Sequence, residues 1–404
     1  MMLKRVFWIF LVISTFIDVE GQNKEASVGD YCVVKYTNEK GHCQKFEDCS
    51  TAKKDVKNGY KTTYCSGTDE SGRLLICCRD SSLETDGVGL KLGEDSSDRP
   101  KRICEKKCEE YTKKLIESAS FVTLTVEPVK ILTDNSLCKF AGNALIIGGM
   151  KTEPEEFPHM AAIFYRDADT YKFLCTGSLI SYKFVLTAGH CNQSTEQDKS
   201  PQRAALVRLG DLNIGQTPAD GTKRIDIPIR KIHMHPEYLP PVVYNDIALL
   251  ELERTVAFTP AIRPACLWTQ NGVGHYVKGT ATGWGVTDLK HPKPSEVLMK
   301  LLVPFRENKL CDEKLFSGRG LTWDGFTDTQ LCAGDLDGGH DTCYGDSGGP
   351  IQVESRDNKC NYYLVGVTSV GKGCGEKDHP SIYTRVSSYL DWIEGIVWPD
   401  GSDS

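Results

Sequence analysis

The sequence predicts an all-β domain of barrel or sandwich type from Ile146 onward, closed by a C-terminal helix and preceded by a small disulfide-stapled module. Three observations carry this. First, the runs SLIS, FVLTA, IALLEL, YYLVGVTS and SIYTRV are short, apolar and separated by Gly, Pro and Asp, the texture of many short strands. Second, the closing stretch YLDWIEGIVW places Leu390, Ile393 and Val397 at helical spacing. Third, Cys32, Cys43, Cys49, Cys65, Cys77 and Cys78 crowd into a segment too small to be held by apolar burial alone.

At the N-terminus, Lys4 and Arg5 precede an apolar run over 6–17, with small residues at Val19 and Gly21. That run is shorter than the ~20 residues that span a bilayer. It is expected to be a cleaved signal peptide over 1–21, in preference to a retained anchor, and no other membrane span is expected. The 404 residues fit two or three domains. Lys plus Arg number 48 against 55 Asp plus Glu, a formal charge of −7 that excludes the basic footprint of a nucleic-acid binder. Seventeen cysteines without the spacing of metal ligands indicate an oxidising, extracellular compartment, and the odd number leaves one unpaired.

The stapled module spans 22–78. Six cysteines allow about 15 pairings, and the adjacent Cys77 and Cys78 are each expected to reach a distant partner. A polar stretch rich in Gly, Ser and Asp follows over 79–102 and reads as linker. Residues 103–118 read as a weak helix with Cys104 and Cys108 on one face at i, i+4. The linker and propeptide together are assigned to 79–145 and the large domain to 146–404.

Three strings of the large domain carry chemistry together: TAGHC around His190, NDIALL around Asp246 and GDSGGP around Ser347. A serine hydroxyl attacks only once a neighbouring imidazole takes its proton, and that imidazole needs a buried carboxylate to fix its tautomer. Those three residue types are supplied. The glycines around Ser347 allow the N–H groups of Gly345 and Ser347 to converge on a developing oxyanion, an effect of about 3 kcal/mol per donor.

With IIGG at Ile146, CTGSLIS, TAGHC, NDIALLEL, the ATGWG around Trp284, GDSGGP and SIYTRV, residues 146 to about 398 resemble the chymotrypsin-like serine proteases. The resemblance implies a double β-barrel with a C-terminal helix. The N-terminal module with its Cys77-Cys78 pair resembles a clip domain, so the whole chain resembles the arthropod clip-domain serine proteases. By that resemblance Cys32 pairs with Cys77, Cys43 with Cys65 and Cys49 with Cys78. In the large domain it implies Cys175–Cys191, Cys311–Cys332 and Cys343–Cys374, with Cys138–Cys266 tethering the linker. The cysteine that many relatives carry beside the GWG strand is absent, so Cys360 needs another partner. Cys108 is expected to supply it, with Cys104 free or intermolecular.

The resemblance also implies a zymogen cut between Leu145 and Ile146, whose new ammonium pairs with Asp346 and orders the oxyanion hole and specificity pocket. Relatives usually carry Arg or Lys before the cut. Leu145 instead implies an upstream protease that prefers apolar residues, and the dibasic Lys101-Arg102 is a solvated pair or a secondary cut. Asp341 falls at the floor of the pocket and implies cleavage after Arg or Lys, with Gly371 leaving the wall open. Ser381 stands where wide pockets carry Gly and crowds a guanidinium; Val370 replaces the usual Trp. Gly189 and Thr176 are smaller departures.

Asn192 begins a glycosylation sequon. Asp211, Asn213 and Asp220 fall where some relatives bind calcium, a solvated acidic loop being the preferred reading, and His233 and His235 read as structural. No metal or other cofactor is expected. The implied activity is that of a secreted endopeptidase acting on a downstream zymogen or precursor in an extracellular cascade, either innate immunity with melanisation or embryonic patterning, and checked by a serpin. The rival is a catalytically silent clip-domain adaptor.

Overall fold

The computed structural model describes residues 27–28, 30–34, 40–57, 62–68, 73–79, 99–118, 121–122, 130–131, 149–194, 202–215, 224–286, 293–315, 319–338, 345–355, 361–371 and 376–403. Two compact units, 1–92 and 93–404, are described separately.

The small unit is an antiparallel sheet of β1 (Tyr31–Val33), β2 (Lys40–Gln44), β3 (Tyr64–Thr68) and β4 (Leu74–Arg79) in the order β1-β2-β4-β3, with helix α1 (Ser50–Lys57) after β2. Among the described residues its apolar cluster comprises Cys49, Ala52, Ile76 and Cys78. Covalent staples supply what burial cannot: Cys32–Cys77, Cys43–Cys65 and Cys49–Cys78. Cys77 and Cys78 alternate along β4, and so point to opposite faces of the sheet and reach different partners.

The large unit opens with α2 (Ile103–Ser118) and a short pair, β5 (Phe121–Val122) with β6 (Lys130–Ile131). At the start of α2 the backbone N–H of Arg102 donates to Glu105, a carboxylate cap on the first turn. Two barrels follow. The first is closed from β8 (Met160–Asp167), β9 (Thr170–Leu179), β10 (Phe184–Thr187), β12 (Gln202–Leu209), β13 (Ile225–Met234) and β14 (Ala248–Leu252), with β11 (Gln193–Ser194) at its edge. Pairing of β12 with β8 closes the ring, and Ile163, Leu179, Val185, Leu186, Val207, Leu209 and Leu249 belong to one buried apolar cluster on its strands.

The second barrel uses β16 (Lys278–Gly283), β17 (Met299–Arg306), β18 (Gln330–Ala333), β19 (Pro350–Glu354), β20 (Tyr362–Val370) and β21 (Ser381–Arg385), closed by β20 against β21. Short strands β7 (Met150–Lys151) and β15 (Cys266–Leu267) add to β17 and β20. Helix α3 (Asn308–Leu315) precedes β18, and Cys311–Cys332 fixes it there. Helix α4 (Leu390–Val397) ends the fold with Leu390, Ile393 and Val397 buried, the face expected from their spacing.

The tether differs from expectation. Cys266 is bonded to Cys108, not to Cys138, so Cys108 does not join Cys360. The reason lies in how α2 docks. Its Cys104, Cys108 and Tyr111 face is buried, Tyr111 sits edge-on to Tyr182 and Phe258, and that seating brings Cys108 onto β15. Cys104 is a buried free thiol, pushed up by burial and by its hydrogen bond to Glu394. Arg102 is held rather than solvated, pairing with Asp391 and Glu394, whereas Lys101 is solvated as expected and pairs with Glu109 at the surface. The signal segment, Cys138, Leu145, Ile146, Asp220, Asp341, Cys343, Cys360 and Cys374 lie outside the described residues.

Candidate active site

Antiparallel pairing of β10 with β14 sets Thr187 opposite Ala248. The chain leaving β10 therefore passes the chain entering β14, and His190 on the turn 189–192 meets Asp246. The backbone N–H of His190 donates to Asp246 Oδ1 at 2.8 Å, and His190 Nδ1 lies 2.7 Å from Oδ2. Asp246 is 1% exposed. From the second barrel, the Ser369 hydroxyl donates to Oδ2 at 2.5 Å and the Thr384 hydroxyl to the Asp246 carbonyl at 2.8 Å.

A buried carboxylate with three donors stays ionised. Burial pushes its pKa up, but His190 and the hydrogen bonds from Ser369 and the His190 amide outweigh that and hold it below the usual value. Burial pulls His190 down, while the Asp246 charge and hydrogen bond lift it further, leaving it raised. With Nδ1 facing Asp246, Nε2 is the free nitrogen of the ring.

Ser347 lies on the turn into β19, with Gly345 at φ +98° and Gly348 at φ +78°. A Cβ at Gly348 would sit 2.1 Å from Thr187 Oγ1 and 2.4 Å from the Thr176 carbonyl oxygen, so glycine is required. Thr176 welds this turn to the first barrel. Its N–H donates to the Ser347 carbonyl at 2.9 Å and its hydroxyl to the Gly345 carbonyl at 2.8 Å. The departure from the usual sequence at this position thus adds a hydrogen bond. Asp346 lies between Gly283 and Gly285 and accepts the Gly285 N–H at 2.9 Å; a Cβ at either glycine would fall within 2.3 Å of its carboxylate.

On the specificity side, Ser381 is buried and pairs with Ala333, while Gly371 follows the end of β20 and is exposed. Val370 packs in a small cluster with Leu315, Trp323 and Ile382. Asn192 is half-buried at the end of the His190 turn. Asp211 accepts from Arg224 and from the Asn213 amide, and Asn213 caps the Gly215 amide. His233 contacts Glu251, and His235 lies edge-on to Tyr389 and Trp392. Two clusters have metal-like spacing, Cys32/Cys43/Cys65 and Cys175/His190/Cys191, but their sulfurs are committed to disulfides. Among the described residues no helix is long and apolar enough to cross a membrane.

Sequence reasoning missed Ser369 and Thr384, because one hydroxyl within an apolar strand gives no signal of where it points. It also passed over Tyr238, whose trace was the glycine at position 189.

The trypsin family model matches residues 146–393. The chain is 33% identical over 377 residues to serine protease snk of Drosophila melanogaster, covering 92% of this chain and 79% of that protein. It is 39% identical over 289 residues to the Spaetzle-processing enzyme of the same organism, covering 67% of this chain and 70% of that protein. Against the Drosophila melanogaster serine protease Hayan, identity is 42% over 260 residues, 63% of this chain but only 39% of that protein. With a matching family model, two closed six-stranded barrels and these relatives, the chain belongs to the trypsin family as an arthropod clip-domain serine protease, and it is a serine-type endopeptidase.

Proposed function

We propose that this endopeptidase is a secreted zymogen that cleaves after Arg or Lys in a downstream zymogen or precursor of an extracellular cascade. The observation that carries the catalytic assignment is the buried Asp246 bonded to both His190 and Ser369, beside the Ser347 turn joined to the same barrel by Thr176. In the proposed reaction Ser347 Oγ adds to the scissile carbonyl as His190 Nε2 takes its proton. The oxyanion is held by the N–H groups of Gly345 and Ser347. Collapse expels the amine, which receives the proton from His190; water, deprotonated by His190, then releases the acid and restores Ser347. No cofactor enters.

Cleavage between Leu145 and Ile146 supplies an ammonium for Asp346. Asp346 is half-buried and already accepts the Gly285 N–H, and the ion pair added by the cut would couple cleavage to ordering of the site. Leu145 calls for an apolar-preferring activator. Asp341 supports the basic preference, with Gly371 and Ser381 shaping the pocket, and Asn192 carries the sequon. Relatives named Spaetzle-processing enzyme and phenoloxidase-activating factor 1 support a precursor as substrate; an immune or patterning cascade and a serpin inhibitor belong to the proposal through the clip-domain resemblance.

The test treats purified zymogen with a chymotrypsin-like protease, sequences the new N-terminus and, once the activator is inhibited, compares matched Arg and Leu peptides. A fragment starting at Ile146 with Arg-selective hydrolysis is expected. Correct cleavage with no hydrolysis in either wild type or Ser381→Gly overturns the catalytic reading.

A further inference from the structure

Gly189 adjoins His190, and its backbone does not need glycine, since it is not among the residues with left-handed φ. It needs space instead. A Cβ at position 189 would lie 2.7 Å from Cδ1, 2.9 Å from Cε1 and 3.1 Å from Cγ of Tyr238. Three atoms of one rigid ring therefore rest on the backbone just before the imidazole. Tyr238 is 8% exposed and cannot swing aside without leaving its seat.

The turn that carries Tyr238 is bolted to both neighbours of Asp246. His235 N–H donates to the Ile247 carbonyl at 3.1 Å, Asn245 Nδ2 donates to the Glu237 carbonyl at 3.3 Å, and Tyr238 N–H closes the turn on His235 at 3.0 Å. One side of the turn is thus fixed to the segment that carries the carboxylate into β14, and the ring at its end presses on the turn carrying the imidazole.

We propose that Tyr238 is a positioning residue that sets the distance between His190 and Asp246, with Gly189 as the seat of its ring. The proposal rests on His190 being the general base, as argued above. A ring held at van der Waals contact with Gly189 limits how far the 189–192 turn can retreat from Asp246, and it fills space that water would otherwise occupy beside the pair. Among the described residues, His190 faces Asp246, Asp246 receives Ser369, and the phenols of Tyr238 and Tyr389 feel the Asp246 charge. Glu237, on the same turn, acts on His235. Because His190 is raised above its ordinary value of 6.5, loosening the pair moves it back down.

The experiment uses the full chain, activated by cleavage, and records kcat and KM against pH on an Arg peptide for Tyr238→Ala, Tyr238→Leu, Tyr238→Phe, Gly189→Ala and Gly189→Ala with Tyr238→Ala. Expected for Tyr238→Ala is a fall in kcat of roughly ten- to a hundredfold with KM little changed, and an acid limb moved to lower pH. Tyr238→Phe, which keeps the ring, recovers most of that loss. Gly189→Ala, which pushes on the ring, lowers kcat as well, and the double variant is no worse than Tyr238→Ala alone because both act through one contact. A Tyr238→Ala enzyme with wild-type kcat and acid limb, changed only in melting temperature, overturns the proposal. So do additive losses in the double variant. If Tyr238→Ala does not fold, Tyr238→Leu and Gly189→Ala decide it by the same kcat and pH readouts. His190→Ala separates the two levels: retained hydrolysis there sinks the general-base reading, whereas its loss beside an unaffected Tyr238→Ala sinks only the positioning role.

Discussion

Arg102 grips Glu394 with two nitrogens, Nη2 to Oε2 at 2.8 Å and Nε to Oε1 at 3.3 Å, and so joins the start of α2 to α4 across 292 residues of sequence. Glu394 also accepts the Cys104 N–H at 3.0 Å. One carboxylate therefore caps the helix that precedes the proposed cut.

From this pair follows a protection experiment. Trypsin is expected to leave the Arg102–Ile103 bond of the folded chain intact and to cut it in Glu394→Gln, with N-terminal sequencing as the readout. The variant should lose about 1–2 kcal/mol in denaturant unfolding. Burial pushes Glu394 up, but Arg102 and Cys104 hold it below its ordinary 4.5. For a depressed carboxylate the contribution is present above 4.5 and fades as pH falls through the folded value, so wild type and Glu394→Gln should converge in acid.

Cys108–Cys266 makes its own prediction. A non-reducing peptide map should contain a peptide joining these two residues, and Cys108→Ser should cost about 2–4 kcal/mol. Cys104, buried and with its thiol pushed up, should resist alkylation until the chain is unfolded.

For the proposed general base, activity requires neutral His190, and its raised pKa puts the acid limb of kcat/KM above the ordinary 6.5. Asp246→Asn is expected to lower kcat by about 10⁴-fold, through loss of the correct tautomer, as in the serine protease template. Ser369→Ala removes one of several donors and should cost far less, about tenfold.

Asp346 fits between two glycines with no room to spare. In Gly283→Ala the new Cβ would meet Asp346 Oδ1 at 2.1 Å. That variant should be cut normally by the activator yet hydrolyse Arg peptides at least a hundredfold more slowly, measured side by side with wild type.

His190, Asp246 and the Ser347 turn were legible because each sits in a string whose residue types make chemical sense together. Strand texture announced an all-β domain, but runs such as IALLEL do not say whether a sheet closes; that depends on β12 reaching β8 and β20 reaching β21. The partner of Cys108 was illegible for a related reason. The i, i+4 face of α2 was visible, whereas where that face lands depends on Tyr111 entering the Tyr182 and Phe258 pair. Ser369 and Tyr238 were hidden because contacts between distant segments leave no mark at their own positions. The Tyr238 ring left one elsewhere, as the glycine at 189.

Lys107 and Tyr111 of α2 both bind Asp403, and Trp398 Nε1 donates to the Tyr111 hydroxyl at 2.8 Å. Together with Cys108–Cys266, these contacts mean that hydrolysis before Ile146 would alter connectivity without changing the number of particles in solution. Whatever surface the small unit binds would therefore retain the activated enzyme, and the local concentration of protease there would be set by that anchorage rather than by diffusion from the point of cleavage.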